Sequence, residues 1–116
     1  MSAEPGPRTV LVTTTVAAED TAAELARTLV GERLAACVHV SAPITSTYVW
    51  QAKLETAREW VLQCKTTEAR LAALMTRLRA LHPYQVPEIV AVSATATDPD
   101  YLAWVTENTA PPSPPP

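Results

Sequence analysis

Glycine is almost missing from this sequence: among 116 residues there are only Gly6 and Gly31. A phosphate-cradling loop needs several glycines so that backbone N–H groups can approach the anion, which excludes that class of nucleotide-binding motif. Cysteine is equally scarce, with Cys37 and Cys64 alone. Two thiols are too few for a disulfide scaffold, and no structural disulfide is expected. No CxxC, HExxH or His-rich tract occurs among the two histidines, His39 and His82. Clustered positive charge is absent too. The formal net charge is −3, and Arg27, Arg33, Lys53, Lys65, Arg70 and Arg79 stand singly, so nucleic acid is not an expected partner. No apolar run approaches the roughly 20 residues that cross a bilayer. Residues 1–8 lack the apolar core of a secretory signal. The expectation is a cytoplasmic protein with no membrane partner.

What is present suits one folded domain. Hydrophobic residues make up 47% of the chain and charged residues 18%, a balance that can bury a core. A flexible N-terminus is expected over residues 1–7, the folded domain over 8–110, and a proline-rich disordered tail over 111–116. The β-branched run from Arg8 to Thr15 reads as a strand. A helix follows, with Glu19 and Asp20 in its first turn, Thr21 and Glu24 at capping-box spacing, and Ala22, Leu25, Ala26 and Leu29 on one face; Gly31 weakens its end. A second helix begins after Thr67 as N-cap, aligns Leu71, Leu74, Met75 and Leu78, and stops near Leu81 before Pro83. A last strand spans Glu88 to Thr95. Asp98 and Pro99 then open a short helix whose inner face is expected to hold Tyr101, Trp104 and Val105.

Between the two long helices, residues 36–50 and 55–66 read as the arms of one long hairpin. Alternation places Ile44, Ser46, Tyr48 and Trp50 on one face of the first arm, and Arg58, Trp60, Leu62 and Cys64 on one face of the second. Pro43 cannot donate a ladder hydrogen bond and should bend or bulge the first arm. The resulting order, βαββαβ plus a C-terminal helix, is the ferredoxin-like α+β sandwich, with both helices on one face of the sheet. A doubly wound parallel sheet is disfavoured because the middle strands form a hairpin. Arms of this length overhang their own helices, and Tyr48, Trp50 and Trp60 would form an exposed apolar tip in isolation. A subunit interface through these three residues is expected.

Several separated segments resemble one known family. Leu34-Ala35-Ala36-Cys37-Val38, Ser46-Thr47-Tyr48-Val49-Trp50 followed by Lys53, Lys65-Thr66-Thr67, His82-Pro83-Tyr84-Gln85-Val86-Pro87-Glu88-Ile89 and Tyr101-Leu102-Ala103-Trp104 look like the signature segments of CutA proteins. The resemblance runs from about Val10 to Thr106 in the right order. It implies a ferredoxin-like subunit, a homotrimer with hairpins exchanged between neighbours, a link to tolerance of copper and other divalent cations, and no known catalytic activity. Two departures stand out. Ala52 replaces the glycine usual at the hairpin tip, so a turn that avoids positive φ is expected there. His39 replaces the usual asparagine and adds an imidazole two residues from Cys37.

The ligand inventory for a metal is thin. Cys37 and His39 form a C-x-H pair on one strand face, and His82 and Glu88 are further candidates; thiolate and imidazole suit copper or zinc. Weak copper or other divalent-cation binding, with no organic cofactor, is the expectation. Cys64 reads as a buried small hydrophobe; for Cys37, packing and ligation weigh equally, since the resemblance places it beside an inter-subunit cleft. His82 reads either as a helix-end cap or as a solvent-facing ligand. CutA trimers are similar in fold and assembly to PII signalling proteins, and Lys65, Tyr84, Glu88 and Tyr101 could line a comparable small-molecule cleft. A structural or adaptor trimer is the remaining alternative. A Cys/His nucleophile lacks any announced orienting group or oxyanion site, so no enzyme is expected.

Overall fold

The computed structural model describes residues 7–112; the expected flexible N-terminus and proline-rich tail fall largely outside them. Eight elements follow in order: β1 (Thr9–Val16), α1 (Glu19–Gly31), β2 (Cys37–Val40), β3 (Ile44–Trp50), β4 (Lys53–Thr67), α2 (Glu68–Leu81), β5 (Val90–Ser93) and α3 (Pro99–Thr109). The sheet runs β2-β4-β1-β5, with β3 pairing the distal half of β4, and every pairing is antiparallel. This is the expected α+β sandwich, with β4 inserted between the two strands that α1 connects.

Alternation along the strands separates the two faces of the sheet. Val10, Val12 and Val16 of β1 and Leu62 and Cys64 of β4 are buried against Ala22, Leu25 and Leu29 of α1 and Leu74 and Leu78 of α2. Leu29, Leu62, Leu74 and Leu78 are inaccessible to solvent, and each such burial contributes about 2–3 kcal/mol. The opposite face carries Leu11 and Thr13 opposite Val92 and Val90. It is left half open, with Val90 at 52% and Val92 at 58% exposure.

The first hairpin arm is broken where Pro43 predicts. Residues 41–43 stand opposite only residues 60 and 61 of β4, an insertion of one residue and hence a bulge. Ser41 bridges it: its backbone N–H donates to the Val61 carbonyl at 2.9 Å, and its Oγ accepts from the Val61 N–H at 2.9 Å. The extra residue reverses the alternation. Cys37 and His39 of β2 therefore share a face with Ile44, Ser46, Tyr48 and Trp50 of β3.

Three local expectations need correction, and a further one, the N-cap of α2, holds in position only. The hairpin tip does not avoid positive φ: Gln51 and Ala52 lie at φ 50° and 64°, between Trp50 and Lys53 as the closing pair. A two-residue loop with both φ values positive is the turn whose twist matches the flanking strands, and the long ribbon imposes it despite the alanine Cβ. Ala52→Gly should therefore raise the unfolding free energy by about 1 kcal/mol in urea titration. Secondly, the Thr21–Glu24 pair is not a cap, because α1 is capped at Ala18 with no side-chain bond. Thirdly, Thr67 is the N-cap residue of α2 but makes no side-chain cap bond. Fourthly, Tyr101 and Trp104 stay 36% and 44% exposed, while Val105 is fully buried. α3 rests on β4 and turns only its Leu102, Val105 and Thr109 side inward.

Asp98 caps α3 as expected, accepting from the N–H groups of Asp100 (3.1 Å) and Tyr101 (3.3 Å). Its other end is held by Arg33, whose guanidinium donates to the Ala110 carbonyl at 2.7 Å and the Glu107 carbonyl at 2.5 Å. Arg33, at φ 60°, also closes α1: its N–H reaches Val30 O and the Leu34 N–H reaches Leu29 O, both at 3.0 Å. That is a Schellman arrangement with arginine in the left-handed position usually given to glycine.

Candidate functional site

The candidate residues separate into two places. The first is the exposed face of β2 and the adjoining part of β4. Cys37 is half-buried and lies opposite Lys65; His39 is exposed and lies opposite Gln63. Lys65 Nζ is 3.0 Å from His39 Nδ1 and 3.5 Å from Gln63 Oε1. With the ammonium donating, Nδ1 is the acceptor. Burial first, and Cys37 second, push the phenol of Tyr101 in α3 up. Cys37, His39 and Lys65 thus form one group, whose soft donors are one thiol and one imidazole.

The second place is a cleft of about 840 Å³ under the hairpin, lined by Thr15, residues 46–50, Glu59 and residues 84–88. Tyr84 and Glu88 belong here, apart from Lys65 and Tyr101. Its floor is Glu59, only 7% exposed, whose Oε2 accepts from the Tyr84 hydroxyl at 2.7 Å. Burial pushes the Glu59 carboxyl up, but the Tyr84 hydrogen bond and the Ser46 and Thr15 hydroxyls hold it below its ordinary value. Burial and Glu59 together push the Tyr84 phenol well up. The pair is a carboxylate and a neutral phenol at neutral pH.

His82 sits behind this cleft, 8% exposed. Its side chain neither caps α2 nor faces solvent. Nδ1 accepts from the Tyr84 N–H at 3.1 Å, which leaves the proton on Nε2; that atom lies 2.9 Å from the Thr15 carbonyl oxygen and 3.0 Å from Thr14 Oγ1. Both ring nitrogens are thus engaged, and burial is the first cause of a basicity below the ordinary histidine value. His82 ties the 83–88 loop to β1. Arg79 supports the same loop by donating to the Gln85 carbonyl at 3.1 Å.

Among the described residues no three His, Cys, Asp or Glu side chains gather at metal-ligand spacing. Cys37 and His39 are brought onto one face, whereas His82 is turned inward and Glu88 lines the cleft. Cys64 lies in the core, its thiol pushed up to about 12 by burial first and Cys37 second. The hairpin aromatics divide as well. Tyr48 and Trp50 are 43% and 38% exposed, whereas Trp60 packs against the subunit's own core, with the Arg58 guanidinium 5.6 Å from its ring centroid.

Sequence reasoning missed Glu59, Thr15 and Ser46. Glu59 is a lone acid in an alternating strand, where charge normally marks a solvated position. Only the return of Tyr84, 25 residues later, makes it a buried partner.

The family model "CutA1 divalent ion tolerance protein" matches residues 10–108. The divalent-cation tolerance protein CutA of Thermus thermophilus is 44% identical over 99 residues, 85% of this chain and 96% of that protein. The crystal structure of CutA from Xylella fastidiosa superposes with a TM-score of 0.85 at 41% identity, covering 88% of this chain and 98% of that one. A structure from Archaeoglobus fulgidus, described as a periplasmic divalent cation tolerance protein CutA, gives a TM-score of 0.84 at 28% identity over 88% and 99% of the two chains. With the family match, the identities and the shared fold all spanning most of its length, this chain belongs to the CutA1 divalent ion tolerance protein family.

Proposed function

We propose that the protein is a non-enzymatic, cytoplasmic homotrimer that serves tolerance of divalent cations, copper foremost, by binding the metal weakly through Cys37 and His39. The observation that carries this reading is the placement of one thiol and one imidazole on the same exposed face of β2. Thiolate and imidazole favour copper over magnesium or calcium, which prefer oxygen cages. Two ligands from one chain make a weak site. Lys65 weakens it further, because its ammonium holds His39 Nδ1 and must give way, or leave only Nε2, when a cation approaches. The names of the relatives, tolerance proteins rather than enzymes, agree with a binding role. Trimer formation is supported by the half-exposed Val90 and Val92 and by the exposed Tyr48 and Trp50, apolar surface that a lone chain leaves in water.

Titration calorimetry with copper on wild type, Cys37→Ser and His39→Asn tests the metal reading. Wild type should give a saturable heat that either variant reduces by at least about tenfold in affinity. Binding should weaken as the solution is acidified, since both ligands bind only when deprotonated. Equal binding by all three proteins would refute coordination at this pair. A PII-like small-molecule role is the second reading, and the 840 Å³ cleft, within the usual range for ligand sites, is what favours it.

A further inference from the structure

We propose that Lys65 is a charge filter at the Cys37 and His39 pair, whose ammonium makes the site take monovalent soft cations, the cuprous ion foremost, in preference to divalent ones. The inference rests on the reading that Cys37 and His39 hold the metal, and adds to it the charge of the ion and the residue that sets it. Three observations converge on it.

The first is the number of donors. Cys37 and His39 lie two apart on β2, with about 6.6 Å between their Cα atoms on one strand face, close enough for both donors to meet one ion. Among the described residues no third His, Cys, Asp or Glu joins them. Zinc and the cupric ion fill four positions or more. One thiolate and one imidazole instead complete the two-coordinate arrangement that soft monovalent ions such as cuprous copper and silver accept.

The second is the position of Lys65. It stands opposite Cys37 in the β2–β4 register, which places the two side chains on the same face, and its Nζ lies 3.0 Å from His39 Nδ1. A thiolate formed to bind metal is thus already matched by one ammonium. A monovalent ion then leaves the group with one net positive charge and a divalent ion leaves it with two. Repulsion between ammonium and ion is proportional to the charge of the ion. At a separation of about 6 Å in water-like surroundings it costs a monovalent ion about threefold in affinity and a divalent ion the square of that, about tenfold.

The third is that nothing acidic offsets the ammonium. Lys65 is held by an imidazole and by the Gln63 amide oxygen at 3.5 Å, whereas the ion pair found among the described residues is Arg77 with Glu32. An arriving ion therefore meets an uncompensated charge. The group occupies the β2 edge of the sheet, with β5 and its half-open Val90 and Val92 at the other edge. It uses neither those residues nor the hairpin aromatics, and a bare ion needs no open cleft.

The test is competition calorimetry of the purified full chain with silver(I) and zinc(II) nitrates, two ions that do not change oxidation state with thiols. Lys65→Met removes the charge and keeps the length; it should lower the silver-to-zinc affinity ratio by about threefold. Lys65→Arg keeps the charge and should keep the wild-type ratio. Whatever the ammonium does to the ligands themselves is common to both ions and cancels in the ratio. Cys64 is fully buried in the core and does not compete. Cys37→Ser and His39→Asn should each lower silver affinity by at least about tenfold. If zinc gives no heat with wild type, it should give one with Lys65→Met; its absence from both would assign the exclusion to donor number alone and overturn the filter. An unchanged ratio in Lys65→Met, or an equal shift in Lys65→Arg, would overturn it too while leaving the metal pair standing. Wild-type silver binding by both Cys37→Ser and His39→Asn would remove the metal reading and the filter with it.

Discussion

His82→Leu should lower the unfolding free energy by about 2–4 kcal/mol, because it strands the Thr15 carbonyl and the Tyr84 N–H while filling nearly the same volume. The two groups lie 2.9 and 3.1 Å from the imidazole, inside a ring that is 8% exposed. Urea titration at fixed protein concentration measures the loss. The same residue predicts a pH dependence. Burial holds the basicity of folded His82 below the ordinary value of 6.5, so below that pH the unfolded chain takes up a proton that the folded chain refuses. Stability should be full above the unfolded value and decline as pH falls through 6.5 towards the folded value, by up to about 1.4 kcal/mol per pH unit.

Glu59 adds a second, more acidic limb. Its folded carboxyl is held below the ordinary 4.5, so its contribution is present above that value and is lost as pH falls through the folded one. His82→Leu should abolish the upper limb and leave the lower. A variant that keeps the decline just below pH 6.5, or that unfolds at the wild-type urea midpoint, would show that the imidazole does not tie the loop to β1.

Trp60→Ala and Trp50→Ala should fail in different ways. Trp60 packs on the core cluster beside the β1 end of the sheet, and its truncation should cost about 3 kcal/mol through lost burial and a residual cavity. Trp50, 38% exposed beside the hairpin turn, has less to lose within its own chain and more to lose in an assembly. Sedimentation equilibrium of wild type at micromolar concentration should give three times 12.5 kDa, as an obligate interface burying about 2,000 Å² or more would require. Trp50→Ala should reduce that mass. A monodisperse wild-type monomer would remove the trimer, and equal masses and urea midpoints for both variants would remove the division of labour between the two tryptophans.

Much of the fold was legible because it rests on local rules. Hydrophobic spacing located α1 and α2, β-branched runs located β1 and the hairpin, Asp98 with Pro99 marked the start of α3, and Pro43 marked the bulge. The ends were less legible. Arg33 rather than Gly31 supplies the left-handed residue after α1, and a two-residue turn with positive φ forms at Gln51 and Ala52 without a glycine, since pairing along the ribbon outweighs the local cost.

The candidate site was legible only in part. Cys37 and His39 share a strand face by simple alternation, and that pairing holds without knowledge of any other element. Tyr84, Glu88, Lys65 and Tyr101 could not be sorted by sequence into two places, because their neighbours come from β1, β2, β3 and β4. The direction in which His82 points, the burial of Glu59 and the separation of Trp60 from Trp50 depend on contacts between residues dozens of positions apart. The sequence alone determined the order and type of the elements and the scarcity of ligands, since these depend on composition and short-range periodicity. The tertiary structure decided which polar groups lose water and which find partners, because burial is a property of how elements are stacked.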